Sequence, residues 1–214
     1  MASIFDDNDR LAATTSAKLK QSGIFSINVM GAPGVGKTSS IIALTRELKD
    51  WNHYVVEGDI ESDIDTQTLQ KLGVETLQIN THGACHLDSY QIAKAIHDFE
   101  FKGPGLLLIE NIGNLVCPAE MVIGEHCKVL IVTATDGSDK PYKYPLAFEK
   151  ADLILLNKAD LLPYVDFDYE FFMAGVRALN PSVEVLAVNA RKGEGFAAAA
   201  NWIRNRAAQV LAEA

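Results

Sequence analysis

A glycine-rich segment near the start of the chain, residues 31–38, has the residue types needed to bind a nucleoside triphosphate. It reads Gly-Ala-Pro-Gly-Val-Gly-Lys-Thr, which fits the P-loop pattern of Gly, four residues and Gly-Lys-Thr, and it lies between a predicted strand and a predicted helix. Backbone N–H groups of such a loop turn inward around a β-phosphate, and the helix N-terminus adds partial positive charge. We expect Lys37 to bridge the β- and γ-phosphates and the Thr38 hydroxyl to bind Mg²⁺. The residues predicted to contact the phosphates are Gly34, Val35, Gly36, Lys37, Thr38 and Ser39.

Carboxylates that could hold Mg²⁺ and place an attacking water follow two predicted strands. Glu110 ends an apolar run, and Gly113 lies three residues further on, where its N–H could meet a γ-phosphate. This spacing resembles the Asp-x-x-Gly element of GTPases with Glu in place of Asp. Asp59 follows the neighbouring strand and is the second predicted Mg²⁺ ligand. Asp63, in a polar loop, is the candidate for orienting water, and a solvated loop with a helix N-cap is the alternative for Asp63 and Asp65. The predicted catalytic residues are Lys37, Asp59, Asp63 and Glu110.

The motif at residues 157–160 identifies the base. It reads Asn-Lys-Ala-Asp after an apolar strand and resembles the guanine signature of GTPases. The Asp160 carboxylate can accept hydrogen bonds from N1–H and the N2 amino group of guanine, whereas adenine would leave it unpaired, at a cost of about 1–3 kcal/mol. The Ala190 N–H, after the last predicted strand, is expected to face guanine O6. The sequence therefore predicts GTP rather than ATP. The residues predicted to surround the base are Asn157, Lys158, Asp160, Asn189 and Ala190.

Three residues with soft or borderline ligand atoms form a candidate transition-metal site. Cys85 and His86 are adjacent, and Cys117 lies seven residues after Glu110. Thiolate and imidazole ligands suit Zn²⁺ or Ni²⁺, and three ligands leave a position open or can be completed by a second chain. A buried cysteine and a solvated histidine are the alternative, but the link to Glu110 favours a metal site that shares a segment with the γ-phosphate contact. His82 is a possible accessory ligand.

Composition and charge limit the class of protein. The chain has 214 residues, of which 48% are hydrophobic and 22% charged, as expected for one globular α/β domain. Its net charge of −9 repels polyanions, so nucleic acid is disfavoured as a partner. No apolar run reaches the roughly 18 residues of a membrane span, and no signal peptide is recognisable, so we expect a cytoplasmic protein without a membrane partner. Cys127 opens a strand and is expected in the core.

Short apolar runs alternate with amphipathic stretches along the chain. This pattern predicts an α/β fold of the P-loop NTPase type, with a mostly parallel central sheet flanked by helices. A helix at residues 8–21 is expected to pack outside the core, within an N-terminal extension of residues 1–23 that precedes a GTPase domain of residues 24–214. The predicted strands are residues 24–30, 53–57, 105–109, 128–133, 153–156 and 183–188, and the other predicted helices are residues 38–50, 89–99 and 196–212.

Taken together, the motifs resemble the HypB family, the nickel-incorporation GTPases of [NiFe]-hydrogenase maturation. The resemblance covers about residues 27–202. It implies the dimerising class of P-loop GTPases, slow Mg²⁺-dependent GTP hydrolysis, and a nickel or zinc site made by Cys85, His86 and Cys117. It also implies a homodimer, a maturation-partner metallochaperone, and the hydrogenase large subunit as the client that receives nickel. The segments that carry the resemblance are residues 31–38, 57–59, 85–88, 110–118, 139–141, 143–145 and 157–162.

The chain departs from the family pattern at two places. Residues 1–23 contain neither Cys nor His, so any nickel role depends on the site in the GTPase domain. Residues 61–65 read Glu-Ser-Asp-Ile-Asp where the family usually has a pattern with Gln and Thr. Two other functions stay open: an accessory GTPase for another nickel enzyme such as urease, and a metal-binding module whose nucleotide site is inactive.

An apolar cluster directly after the base motif is a candidate association surface. It consists of Leu161, Leu162, Val165 and Phe167, more apolar side chains than a short surface loop normally carries. Because these residues adjoin the guanine-binding motif, we expect them to help form a homodimer that GTP favours.

Overall fold

A seven-stranded sheet with the strand order β3-β2-β4-β1-β5-β6-β7 forms the centre of the molecule, and every neighbouring pair is parallel. The computed structural model describes residues 4–58, 63–81 and 83–212. The strands are β1 (Ile24–Gly31), β2 (Asn52–Glu57), β3 (Glu75–Gln78), β4 (Gly105–Glu110), β5 (Cys127–Thr133), β6 (Leu153–Asn157) and β7 (Glu184–Ala187). This architecture confirms the predicted fold class.

The helices and the strands follow one another in the order expected of parallel crossovers. The α-helices are α1 (Ile4–Gln21), α2 (Lys37–Glu47), α3 (Asp63–Lys71), α4 (Ser89–Ala95), α5 (Cys117–Glu120), α6 (Lys140–Lys143), α7 (Pro145–Glu149), α8 (Tyr169–Leu179) and α9 (Phe196–Ala212). Short 3₁₀ turns occur at Ile96–Asp98, Ala134–Asp136 and Ala159–Tyr164. In the parts of the chain that the structure describes, no helix is both long and apolar enough to cross a membrane.

The four central strands are apolar almost throughout because both faces of the sheet are covered. Every residue of β1, β4, β5 and β6 is buried, whereas the edge strands β3 and β7 have exposed ends. One face packs against α2, α3 and α9, and the other against α1, α4, α7 and α8. Since the strands are parallel, their carboxyl ends meet at one edge, where the P-loop follows β1 and where Glu110 and Asn157 are the last residues of β4 and β6.

The sequence predicts that the N-terminal helix packs outside the core, whereas in the structure one face of this helix is part of the core. Leu19 and Ala12 of α1 are almost completely buried, and Leu19 belongs to the same apolar cluster as Ile92 of α4 and Ile123. Only one face of α1 packs against the rest of the protein, so residues 8–21 are mostly polar. Their composition therefore does not predict the packing. The helix is therefore part of the packed body of the protein.

The largest departure from the predicted elements lies between β2 and α4. Residues 63–71, which begin in the predicted polar loop, form α3, and β3 follows at the sheet edge. β3 has only four residues and is exposed at both ends, so its sequence lacks the apolar run of the central strands. The predicted helix at residues 89–99 is shorter than expected, because α4 ends at Ala95 and continues as a 3₁₀ turn. The cap residue Asp168 starts α8, a helix that is not among the predicted elements.

Candidate nucleotide and metal site

The P-loop runs from the end of β1 into α2 with glycine where the backbone requires it. Gly34 and Gly36 have φ angles of +76° and +90°, a region that disfavours other residues. A Cβ at Gly36 would also lie 2.6 Å from Nδ2 of Asn157. Lys37 is the first residue of α2 and is only 7% exposed, while Thr38 is half-buried and Ser39 is exposed. The loop therefore has the strand-to-helix position that phosphate binding needs.

The predicted magnesium residues Thr38 and Glu110 are in direct contact. The Thr38 Oγ1 donates to Glu110 Oε1 at 2.9 Å, and Glu110 is 7% exposed at the end of β4. Glu57, the register partner of Glu110 on β2, is similarly buried. A hydroxyl and a carboxylate are the oxygen ligands that Mg²⁺ prefers, so these residues fit that ion.

The other two predicted catalytic carboxylates are not described at the level of side chains. Asp59 lies outside the described residues. Asp63 is the first residue of α3 rather than part of a loop, and its side chain is not described. The polar composition of residues 59–65 resembles a loop because the apolar face of α3 appears only later, with Leu69. A catalytic role of Asp59 or Asp63 stays a prediction.

The segment after Glu110 packs directly on the P-loop. A Cβ on Gly113 would lie 2.8 Å from Cγ of Pro33, so only glycine permits this approach. The Asn114 N–H donates to the Gly31 carbonyl at 3.1 Å, and these two residues form an isolated antiparallel bridge. Gly113 is therefore beside the phosphate loop, where its predicted γ-phosphate contact requires it to be.

The predicted guanine-binding residues line one cavity of about 270 Å³. Its walls come from the P-loop helix, from the base motif and from the loop after β7. The lining residues are Gly36, Ser39, Asn157, Lys158, Asp160, Leu161, Asn189, Ala190 and Arg191. Asp160 is exposed, which leaves its carboxylate accessible from the cavity. The structure thus brings together residues that are more than 150 positions apart in the sequence.

Asn157 connects the loops around this cavity from inside the protein. It is 2% exposed, its Nδ2 donates to the Val35 carbonyl at 2.8 Å, and its Oδ1 accepts the Ala190 N–H at 3.0 Å. The Ala190 N–H, which is predicted to face guanine O6, donates to Asn157 instead. Lys158, with a φ of +56°, donates from Nζ to the Gly34 carbonyl at 2.9 Å. Asn157 and Lys158 therefore hold the P-loop and the base loops together.

Cys85, His86 and Cys117 converge into one cluster at the same edge of the sheet. Their ligand atoms all lie within 4.8 Å of one another. The Cys85 Sγ is 3.0 Å from the Cys117 Sγ and 3.4 Å from the His86 Nδ1. Cys85 is exposed, and the other two residues are half-buried. Two sulfur atoms and one imidazole at these distances can reach a single Ni²⁺ or Zn²⁺ ion, with solvent on one side for a further ligand.

The short contact between the two thiols affects the pKa of Cys85. The hydrogen bond from Cys85 to Cys117 raises the pKa of Cys85, because it stabilises the protonated thiol. A bound metal ion would replace that proton. Cys127, by contrast, is 2% exposed at the start of β5, and burial raises its pKa well above the ordinary value, so the prediction of a core thiol is confirmed. His82 lies outside the described residues.

Two asparagines that were not predicted as site residues position the metal cluster. Asn111 is fully buried and its Oδ1 accepts the Leu87 N–H at 3.1 Å, next to His86. The Asn114 Nδ2 donates to the Cys85 carbonyl at 3.3 Å, and its Oδ1 accepts the Val116 N–H at 2.8 Å. The two amides therefore link the segments that carry Cys85 and Cys117. Their spacing from Glu110 gives no signal of this role, because their partners are distant in sequence.

The apolar cluster after the base motif is only partly available to another molecule. Leu162 and Phe167 pack against the core beneath α7 and α8. Leu161 lines the nucleotide cavity, and Val165 is half-buried. Leu161 and Val165 are thus the members of the cluster that remain candidates for an association surface.

The chain is similar to known proteins both in sequence and in structure. A family model described as CobW/HypB/UreG, nucleotide-binding domain, matches residues 25–187. The hydrogenase maturation factor HypB of Azotobacter chroococcum mcd 1 is 44% identical over 98% of this chain and 69% of the relative. HypB from Helicobacter pylori, solved in complex with nickel, is 29% identical with a TM-score of 0.89, covering 95% of this chain and 96% of that one. HypB from Archaeoglobus fulgidus is 34% identical with a TM-score of 0.87, covering 94% and 98%.

Proposed function

The chain belongs to the HypB family of hydrogenase maturation factors, within the CobW/HypB/UreG nucleotide-binding domains, and from this premise we propose that it is a GTPase that carries nickel for hydrogenase maturation. A single observation supports the proposal best. One short segment, residues 110–117, includes the carboxylate that contacts Thr38, the glycine that packs on the P-loop, and the metal-binding thiol Cys117. The two ends of residues 110–117 therefore take part in binding the nucleotide and the metal.

The nucleotide end performs phosphoryl transfer mainly by positioning and charge stabilisation. Lys37 and the P-loop N–H groups hold the β- and γ-phosphates, and Gly113 offers an N–H to the γ-phosphate. Thr38 and Glu110 hold Mg²⁺, which when bound neutralises charge that develops on the phosphates. Asp160 pairs with the guanine donor edge at the open side of the cavity, so GTP is chosen over ATP.

The metal end binds nickel as cargo. Three ligands come from Cys85, His86 and Cys117. The exposed side of the cluster, at Cys85, allows the ion to enter and leave. A fourth ligand from a second copy of the chain or from a partner protein would complete the coordination sphere. Zn²⁺ fits the same donor set in tetrahedral geometry, whereas a planar set with a further nitrogen ligand favours Ni²⁺.

Titration of Ni²⁺ into the apo, GDP-bound and GTP-analogue-bound protein tests the proposal. We expect the nickel affinity to differ about fivefold or more between nucleotide states, because a γ-phosphate contact at Gly113 displaces Cys117. The nucleotide affinity must then change by the same factor when nickel binds. Equal affinity and stoichiometry in all three states, retained in Cys85→Ala and Cys117→Ala, would identify a GTPase with structural cysteines.

We propose that GTP also favours a homodimer in which Leu161 and Val165 take part. Leu161 lines the nucleotide cavity, so a bound nucleotide can alter the surface that Leu161 forms with Val165. Replacing both with Asp should give monomers by light scattering in every nucleotide state. Leu162→Ala, which changes a core contact of the same loop, is the matched control. Unaltered dimers in the double variant would place the interface elsewhere.

The proposed partners are a second metallochaperone of the maturation pathway and the hydrogenase large subunit as client. In cells that lack this gene, wild-type protein should restore hydrogenase activity and Cys117→Ala should not. Urease activity measured in the same cells separates the alternative client. A loss of urease activity alone would assign the chain to that enzyme.

A further inference from the structure

The N-terminal helix α1 is hydrogen-bonded to both chain segments that follow the metal-binding residues. The Asn8 Oδ1 accepts the Ser89 N–H at 3.1 Å, and Ser89 lies three residues after His86. The Asn8 Nδ2 donates to the Val122 carbonyl at 2.8 Å, and Val122 lies five residues after Cys117. The half-buried amide side chain of Asn8 thus links two segments that are distant from each other in the sequence.

These bonds serve backbone groups that have no partner within their own elements. Ser89 is the first residue of α4, and N–H groups of a first helical turn have no carbonyl partner inside the helix. The Asp88 side chain caps the Gln91 N–H, and so it leaves the Ser89 N–H to Asn8. Val122 lies in irregular chain between α5 and β5. Asn8 is therefore the acceptor for one segment and the donor for the other.

Further contacts hold α1 against the segment that follows Cys117. A Cβ on Gly124 would lie 2.6 Å from Cγ2 of Thr15, so the backbone of Gly124 packs closely against the Thr15 side chain. The Ser16 carbonyl lies 3.1 Å from the His126 Nε2. Leu19, near the end of α1, is buried in the same apolar cluster as Ile92 and Ile123, so the helix that carries Asn8 is fixed to the body of the protein.

We propose that Asn8 is a positioning residue of the metal centre, and that α1 acts as a brace which sets the separation of Cys117 from Cys85 and His86. This inference rests on the proposed metal site. The residues that precede β1 contain neither Cys nor His, so the helix contributes no ligand of its own. Its effect is preorganisation: with both segments tied to one rigid helix, less conformational freedom is lost when the ion binds.

The variant Asn8→Ala removes the hydrogen bonds to Ser89 and Val122, together with an exposed bond from Asn8 Nδ2 to the Asp9 carboxylate. We expect its Ni²⁺ affinity to fall about tenfold, as when an outer-shell partner of a metal ligand is lost. We also expect a shifted thiolate-to-nickel charge-transfer absorption, because the two sulfur atoms no longer hold a fixed separation. The affinity for GTP should stay unchanged. Thr14→Ala is the matched control, since the exposed Thr14 hydroxyl donates to the Arg10 carbonyl of the same helix.

The variant Asn8→Asp distinguishes the effect of the bond to Ser89 from that of the bond to Val122. It keeps an acceptor for the Ser89 N–H and places a carboxylate against the Val122 carbonyl. A brace requires both bonds, so Asn8→Asp should bind nickel as weakly as Asn8→Ala. Wild-type nickel affinity and spectrum in either variant would overturn the inference. An equal loss in Thr14→Ala, or a parallel loss of GTP affinity, would also overturn it, because the effect would then be general destabilisation. Wild-type protein that binds no nickel through Cys85 and Cys117 would overturn the proposed function as well.

Discussion

The nucleotide region and the metal region lie at the same edge of the sheet, but they are held in different ways. Around the nucleotide cavity, buried side chains bond the loops to one another, as Asn157 does between Val35 and Ala190. Around the metal cluster, the ligands themselves are exposed or half-buried, and asparagines hold only the backbone beside them. The nucleotide region is thus assembled before its ligand arrives, whereas the metal region is left open on one side.

This difference fits two different tasks. Catalysis requires charges fixed in advance, since reorganisation during the reaction raises the barrier. Transfer of a metal ion requires ligands that can be approached and exchanged by a partner. Residues 110–117 connect the two regions, and they are where a change at the phosphate can become a change at the metal. If the two regions are independent, a substitution in one of them should leave the other unaffected.

The largest effect is expected in the nucleotide region alone. Lys37→Ala removes the cation beside the β- and γ-phosphates and should lower GTP turnover about 10³-fold, measured as phosphate release. The nickel affinity of the nucleotide-free protein should be unchanged. Lys49→Ala, at an exposed position just after α2, is the matched control and should keep full turnover. Undiminished turnover in Lys37→Ala would contradict the P-loop assignment.

Cys117→Ala should do the reverse and affect the metal region alone. Loss of one of three ligands should weaken Ni²⁺ binding at least about 100-fold, as measured by competition with a chelator, while basal GTP turnover is retained. Cys127→Ala is the control, because that thiol is buried in β5 away from the cluster. Equal nickel affinity in the two variants would show that Cys117 is not a ligand.

Asp160→Asn should change the choice of base without affecting the metal. The amide donates where the carboxylate accepted, so preference should move from GTP toward xanthosine triphosphate by about 100-fold. Competition between the two nucleotides gives this ratio directly. We expect less discrimination than for a fully enclosed carboxylate, because Asp160 is exposed. Equal competition by ATP and GTP in the wild type would refute the base assignment.

A smaller effect is expected from Asn114→Ala, at the boundary between the regions. Its backbone N–H still reaches Gly31, but the side-chain bonds to Cys85 and Val116 are lost. Nickel affinity should fall about tenfold and GTP turnover should remain near normal. Asn205→Ala, on the exposed face of α9, is the control. An equal loss of turnover would show that the side chain also supports the nucleotide region.

The smallest effect concerns the pH dependence of stability beside the N-terminal helix. The His126 Nδ1 accepts the Ser26 N–H at 2.9 Å, and burial lowers the pKa of His126 below its ordinary value. The folded protein therefore binds this proton less readily than the unfolded chain does, and stability is lost as the pH falls below about 6.5. His126→Gln should show a flatter decline of the unfolding midpoint between pH 7 and about 5. Burial also lowers the pKa of His53. Comparison with His53→Gln therefore shows how much of the pH dependence of stability comes from each histidine.

The sequence alone determined the fold class and the nucleotide motifs, because both depend on short-range patterns. Residues 31–38 form a P-loop wherever a strand precedes them and a helix follows. The apolar runs of β1, β4, β5 and β6 are long enough to be recognised as buried strands. Sequence reasoning was weaker between β2 and α4, where α3 and β3 have mixed polarity.

Only the tertiary structure decided how distant residues meet. Cys85 and Cys117 are separated by 32 positions, and they converge because their segments follow strands whose carboxyl ends lie at one edge, and because Asn111 and Asn114 join those segments. The use of the Ala190 N–H by Asn157 is likewise a contact between separate loops. The packing of α1, and with it the position of Asn8, depends on the surfaces of α4 and of the chain after Cys117. Such contacts leave no periodic or local trace in the sequence, since they are set by the strand order of the sheet and by the burial of apolar faces that it permits.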